Sequence, residues 1–360
     1  MILYDPHVDD NIFTPLSYFV GKRKGLNKYR YIYEAWSKSN NPKIYISNKT
    51  SSLPLVITSK IPSFLLKYII KLEVKIWLKL NNLSATYLTS YIKDGDVFCF
   101  GYKKFDKITH DEVKMTKSFT VHLTHYHTYK YNSIYLEDNF KFVYDNNVSS
   151  LGYFNLKFPG YNKDIKIISF YVQDRFFIEP LNDQRKGVAV TGTYHDYAVD
   201  ELDFGIYENG RTTLHPVRHE ISRTIMPDNF KLEISLFKNP NKLSTLLKNI
   251  GKYNQKAYFS FNIVEFYNES KYSLVAGEGT GAIAIGALES MAVGCKPFLT
   301  NTEVCGLNLP SNSYVLYETL HDVCIYDNND IIDKEQLRHV AREFNYESSL
   351  KRFNNYIKSI

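Results

Sequence analysis

Apolar positions recur along this chain in two patterns. Residues 2–4, 43–46, 55–57, 95–100 and 120–123 are short apolar runs rich in Ile, Val, Tyr and Phe. Such runs mark strands buried on both faces. Residues 27–37 and 62–81 between them carry helical spacing. The second half repeats the alternation, with strand-like runs at 187–193, 257–261, 272–276 and 296–299. Helical stretches follow at 281–293 and over 333–360, where Leu350, Phe353 and Ile357 are the apolar positions of the tail. Strands alternating with helices predict βαβ units and parallel sheets. The aromatic stretch 125–185 is less regular, and a new unit is expected to begin near residue 187. The expected fold class is α/β, with two Rossmann-like domains, 1–180 and 181–360, facing across a cleft. A chain of 360 residues suits two domains of ordinary size.

Within 62–81, Lys67, Lys71, Lys75 and Lys79 recur every fourth residue and form one basic stripe. Leu65, Leu66, Ile69, Ile70, Ile76, Trp77 and Leu80 cover much of the remaining surface. Two readings stay open. One is a half-buried helix with a solvated lysine face; the other is a helix resting on an anionic lipid surface.

Composition narrows the class without naming a chemistry. The chain is 44% hydrophobic and 23% charged, which is globular rather than disordered. Its four cysteines, at 99, 295, 305 and 324, have no paired or metal-ligand spacing, so a reduced compartment is expected. The N-terminus reads directly as a strand, without a basic or apolar leader, and no apolar run is long enough to span a bilayer. A cytoplasmic location, with possible peripheral membrane contact, is the expectation. The net charge of +6 favours anionic partners in general.

The stretch Gly277-Glu278-Gly279-Thr280-Gly281-Ala282, followed by an apolar helix ending at Gly294, is the most informative. Physically it is strand, glycine-rich turn, helix, glycine stop, strand. Glycines let the backbone approach a ligand, and a helix start aims unpaired N–H groups at it, which suits phosphate. The same pattern also serves as an ordinary structural βα turn. Glu289 lies about two turns into the helix, where its carboxylate could accept hydrogen bonds from ribose hydroxyls.

The longer string Glu289-Ser290-Met291-Ala292-Val293-Gly294-Cys295-Lys296-Pro297 resembles the donor-binding segment of retaining GT-B glycosyltransferases of the group 1 type. In that family a Glu, seven residues, a second Glu and a small-Met-Ala-x-Gly-x-Pro tail bind the nucleotide-sugar. The resemblance covers roughly residues 187–360 and has one extra residue before the Pro. Eight positions before Glu289 stands Gly281 instead of an acid, and Glu278 is three further back. The resemblance implies that Glu289 binds ribose and that Glu278 is the acid nearest the sugar. It implies that the backbone of Gly279, Thr280, Gly281 and Ala282 holds phosphate, and that Gly192 and Thr193 open the domain on the cleft side. His215-Pro216-Val217-Arg218 is similar to strings in bacterial surface-sugar transferases, with Arg218 or Lys186 neutralising the departing diphosphate; His215 and Arg218 also read as a capping or salt-bridging pair on a surface helix.

In the N-terminal half, His122 and His125 are candidates to approach the sugar or acceptor, or are ordinary loop histidines. Asp94 and Asp96 flank Gly95 and read as turn residues. No metal site is expected, because the histidine string lacks a second ligand cluster, and no cofactor beyond a nucleoside-diphosphate sugar is implied. Transfer to a glycan, lipid-linked or protein hydroxyl is the expected reaction. Two alternatives remain: a viral-type enzyme glycosylating nucleic acid, and a non-catalytic sugar- or nucleotide-binding protein of degenerate GT-B fold.

Overall fold

The computed structural model describes residues 1–4, 30–46, 59–80, 82–88, 92–100, 108–123, 133–144, 154–155, 157–195, 215–237, 261–279, 281–305, 307–327 and 330–360. Strands β1 (Ile2–Tyr4), β2 (Lys43–Tyr45), β3 (Thr86–Leu88), β4 (Asp96–Phe100), β5 (Ser118–Leu123), β6 (Phe140–Tyr144) and β7 (Lys166–Ile167) form one sheet in the order β3-β2-β1-β4-β5-β6-β7. Every pairing in it is parallel. Its helices are α1 (Arg30–Ser37), α2 (Ser63–Leu80) and α3 (His110–Lys114). Parallel strands need covered faces, which is why these runs are continuously apolar. Leu3, Ile44 and Phe98 point to one face and share a core with α1 and α2, whereas Ile2, Tyr4, Val97 and Cys99 fill the other.

The second sheet holds β8 (Val188–His195), β9 (Phe230–Phe237), β10 (Tyr272–Leu274), β11 (Lys296–Leu299) and β12 (Val315–Leu316), in the order β12-β11-β10-β8-β9 and again all parallel. Its helices are α4 (Pro216–Ile221), α5 (Ile263–Asn268), α6 (Ile285–Ala292), α7 (Asn301–Val304), α8 (Leu320–Ile325) and α9 (Lys334–Arg342). Each sheet has its own switch point, where the strand order turns back, between β1 and β4 and between β8 and β10. The expected strand at 55–57 lies outside the described residues, as does that at 257–261 apart from Phe261, which forms a bend.

The last helix, α10 (Tyr346–Ser359), returns to the first sheet. Asn345 caps it through the Ser348 N–H. Its Phe353, fully buried, meets Phe98 edge-on at 5.2 Å and Tyr31 at 6.1 Å. Tyr356 donates to Thr120 Oγ1 at 2.7 Å, and Tyr346 donates to Glu34 of α1. Burial would raise the Glu34 carboxyl, but hydrogen bonds from Lys38 and Tyr346 hold it below its usual value. A single apolar core therefore runs from Leu3 and Phe98 through Phe353 and Leu337 to Ala287 and Met291 beneath the second sheet.

Candidate functional site

In open α/β sheets, ligands bind beyond the carboxyl ends of the strands at the switch point. In the second sheet this is where β8 and β10 part. Their last pair is Val190 with Leu274, after which β8 continues through Thr191 and Gly192 while the chain leaves β10 for the glycine-rich turn. Both glycine segments singled out in the sequence thus converge on one edge.

The turn is built by close backbone approach. A Cβ on Gly277 would stand 2.0 Å from the Ala282 carbonyl oxygen, so only glycine fits there. Gly281 has φ 81°, a left-handed conformation that favours glycine, and its N–H donates to the Glu278 carbonyl at 3.0 Å. The expected helix start at 281 moves to Ile285, with Ala284 as N-cap, because Gly281 is engaged with Glu278 in closing this turn. Gly294, with φ 73°, ends α6.

Glu303 holds the turn in place. It is buried at 3% exposure, and its Oε1 accepts the Gly277 N–H at 2.9 Å. Its Oε2 accepts the Thr300 N–H at 2.8 Å, completing a capping box at the start of α7. Burial pushes its carboxyl above the usual value, while the N–H groups of Thr300 and Gly277 and the positive charge of Arg218 pull the other way.

Arg218 lies under the other glycine. A Cβ on Gly192, at φ 141°, would meet the Arg218 Nε at 2.8 Å, and Nη1 of Arg218 donates to the Thr193 carbonyl at 2.8 Å. His215 is buried and begins α4, and its carbonyl accepts the His219 N–H at 2.9 Å. His215 is thus the N-cap residue of the helix that carries Arg218. Glu289, at 8% exposure, projects from α6 near Tyr267. The Tyr267 hydroxyl lies 2.8 Å from Thr191 Oγ1, and Tyr267 is fully enclosed. Burial raises its phenol far above the usual value, the Thr191 hydrogen bond opposes this, and the Glu289 carboxylate adds to it. Gly192, Thr193, Arg218, Glu303, the turn and α6 with Glu289 thus surround a single edge.

Other expected residues fall elsewhere. Lys186 precedes β8, and its N–H donates to the Glu269 carbonyl at the opposite end of the strand. Six residues of extended chain separate it from Gly192, about 20 Å, so it does not join the site. His122 is fully buried in β5 with its ring 6.0 Å from that of Phe98, and it presents no open surface. His125 and Thr280 lie outside the described residues. Asp94, with φ 56°, and Asp96, bonded to Ser118 Oγ at 2.8 Å, form a turn at the amino edge of β4, away from any ligand edge. Glu303, Thr191 and Tyr267 were not singled out in the sequence. Thr300-x-x-Glu303 is legible as a capping signature, but its hold on Gly277 is not.

Over 99% of its length the chain matches 99% of a lipopolysaccharide outer core galactosyltransferase, WaaB, with a TM-score of 0.53 at 11% identity. The fold is GT-B. A glycosyltransferase from Rickettsia africae matches at a TM-score of 0.50 and 11% identity, over 99% of this chain and 97% of that one. Anabaena HepE in complex with UDP-glucose matches at 0.50 and 8% identity, over 100% and 99%. No protein-family model and no curated protein matches the chain. In the GT-B arrangement the edge described above belongs to the second of two Rossmann-like units.

Proposed function

We propose that this protein is a glycosyltransferase that binds a nucleoside-diphosphate sugar at the switch point between β8 and β10 and transfers the sugar to a hydroxyl acceptor. The convergence of Gly192, Arg218 and the Gly277–Gly281 turn on that edge carries the reading. The Ala282 backbone and the start of α6 would bind diphosphate, the Gly281 N–H being held by the Glu278 carbonyl. Arg218 would neutralise charge on the departing diphosphate, where a fixed cation acts on the transition state more than on the ground state. Glu289 would accept from ribose hydroxyls. His125, just past the carboxyl end of β5, is the candidate on the acceptor side. HepE, whose structure contains UDP-glucose, supports a donor of this kind. The proposal includes retention of configuration, chemistry without a bound metal, and a division near residue 180 with α10 returning to the first unit.

One observation favours a second reading. The position of the family's first Glu is Gly281, whose φ of 81° makes it a turn residue. If Glu278 does not replace that carboxylate, the protein binds donor without turning it over. Release of free nucleoside diphosphate from UDP-, GDP- and ADP-sugars separates the two. The first reading predicts release with one donor, abolished in Arg218→Ala and slowed in Glu278→Gln. Binding without release supports the second, and neither binding nor release contradicts both.

A further inference from the structure

Helix α2 carries an apolar ridge that the fold leaves open to solvent. Side chains advance about 100° per residue, so positions four apart form continuous ridges. Leu66, Ile70, Val74 and Leu78 form the ridge buried against the first sheet. The ridge most nearly opposite contains Phe64, Tyr68 and Leu72, exposed at 75%, 66% and 49%. Leu65 beside it is 43% exposed. Next to this ridge runs that of Lys67, Lys71, Lys75 and Lys79, all exposed. Glu73 is the one acidic residue of the helix against these four lysines.

Other large exposed apolar side chains among the described residues fall one to an element, as with Met115, Leu136 and Ile225. Scattered singles are ordinary on a protein surface, whereas a contiguous patch marks an interaction site. Among those residues no helix is long and apolar enough to cross a bilayer. An apolar ridge beside a lysine ridge on a helix that cannot span is the composition of one lying in the membrane interface.

We propose that α2 docks the protein on an anionic lipid surface, with Phe64, Tyr68 and Leu72 entering the acyl boundary and the four lysines meeting the headgroups. A nucleic acid would satisfy the lysines but gives no reason for the exposed leucines. Topology adds to the argument. β2 and β3 are parallel, so α2 runs antiparallel to them, and its first turns lie at the carboxyl edge of the first sheet. The apolar residues cluster in those turns, on the side where ligands of such sheets bind. If the glycosyl-transfer reading holds, this places a lipid-borne acceptor at the mouth of the acceptor site. The surface contact itself does not depend on that reading.

The test is sedimentation of the full chain with vesicles of phosphatidylcholine alone and of phosphatidylcholine mixed with phosphatidylglycerol. Binding is expected only to the mixed vesicles. Each Lys→Gln change at 67, 71, 75 or 79 should weaken it about fivefold. The triple variant Phe64→Ser, Tyr68→Ser, Leu72→Ser should lose it with its charge unchanged. Both sets should melt with the parent, because the Leu66–Leu78 ridge is untouched. Failure of the parent to bind mixed vesicles overturns the proposal. So does binding that survives the triple variant and is competed by duplex DNA, which would make the stripe a nucleic-acid patch. Nucleotide-dependent melting of the same preparations reads the donor site separately, so failure at the membrane and failure of the donor reading are told apart.

Discussion

Glu303→Ala isolates what fixes the glycine turn. The carboxylate joins two segments 26 residues apart, accepting the Gly277 N–H at 2.9 Å and the Thr300 N–H at 2.8 Å. Removing it strands the Gly277 donor, at about 1–3 kcal/mol for a buried group, and removes half of the α7 capping box, at about 0.5–1 kcal/mol. Relief of a buried charge offsets part of this, because burial already disfavours the ionised form. A net loss of about 2 kcal/mol should lower the melting temperature by roughly 4–8 °C for a unit of this size. The larger effect should be on the site. A displacement of about 1 Å in a positioning element can cost about a hundredfold in rate, so donor turnover should fall by about that factor. Glu303→Gln keeps one oxygen for Gly277 but sets an amide against the Thr300 N–H, and should fall between. Melting by fluorescence and donor turnover are measured on the same protein. Parent-like melting and turnover in Glu303→Ala would refute the reasoning. A lowered melting temperature with full turnover would make Glu303 a purely structural residue.

Gly192→Ala should fold, because the group its Cβ meets is the movable end of Arg218. The φ of 141° should cost about 1–3 kcal/mol, and displacing the guanidinium should weaken nucleoside-diphosphate binding about tenfold or more; titration calorimetry showing unchanged affinity would contradict this. Glu34 is held below its usual value of 4.5, so its contribution is present above that pH and is lost as pH falls through the lower folded value. Tyr346→Phe removes one of its two hydrogen-bond donors, and the gap in urea midpoint between parent and variant should narrow below about pH 4.5; a constant gap would assign the loss to packing. Cys305 is exposed and should react first with a thiol reagent, whereas Cys99 and Cys295 should stay silent until unfolding. Burial, against the pull of Arg185, pushes the Cys295 thiol up to about 12. Rapid labelling of Cys295 in the native protein would show that α6 opens.

Local signals were legible where one segment carried them. β1, β2, β4, β5, β8, β10 and β11 coincide with apolar runs in the sequence, since a strand buried on both faces must be apolar throughout. The glycine turn was visible too, because a backbone folded as tightly as 277 against 282 excludes side chains. What was not legible depends on long-range placement. Lys186 and Arg218 look equally suited to phosphate as residue types, and only the strand direction shows one at each end of β8. His122 and His125 look alike in the string, and only the folded sheet shows the first sealed in β5 beside Phe98. The helix expected from Gly281 starts at Ile285 because the turn uses the intervening backbone, a tertiary demand that spacing does not encode. Helix α2 was legible as basic and apolar, but the ridge of Phe64, Tyr68 and Leu72 was not singled out and emerges only from their exposure.

The central claim, a nucleoside-diphosphate site at the β8–β10 switch point, is tested most directly by melting the protein with UDP, GDP, ADP, CMP and TDP, alongside Glu289→Ala. A nucleotide present at 100 times its Kd adds about 2.7 kcal/mol, a rise of roughly 5–10 °C for units of this size. The account predicts that rise with one nucleotide and its loss in Glu289→Ala. A flat response to all five, or a rise that Glu289→Ala retains in full, would contradict it.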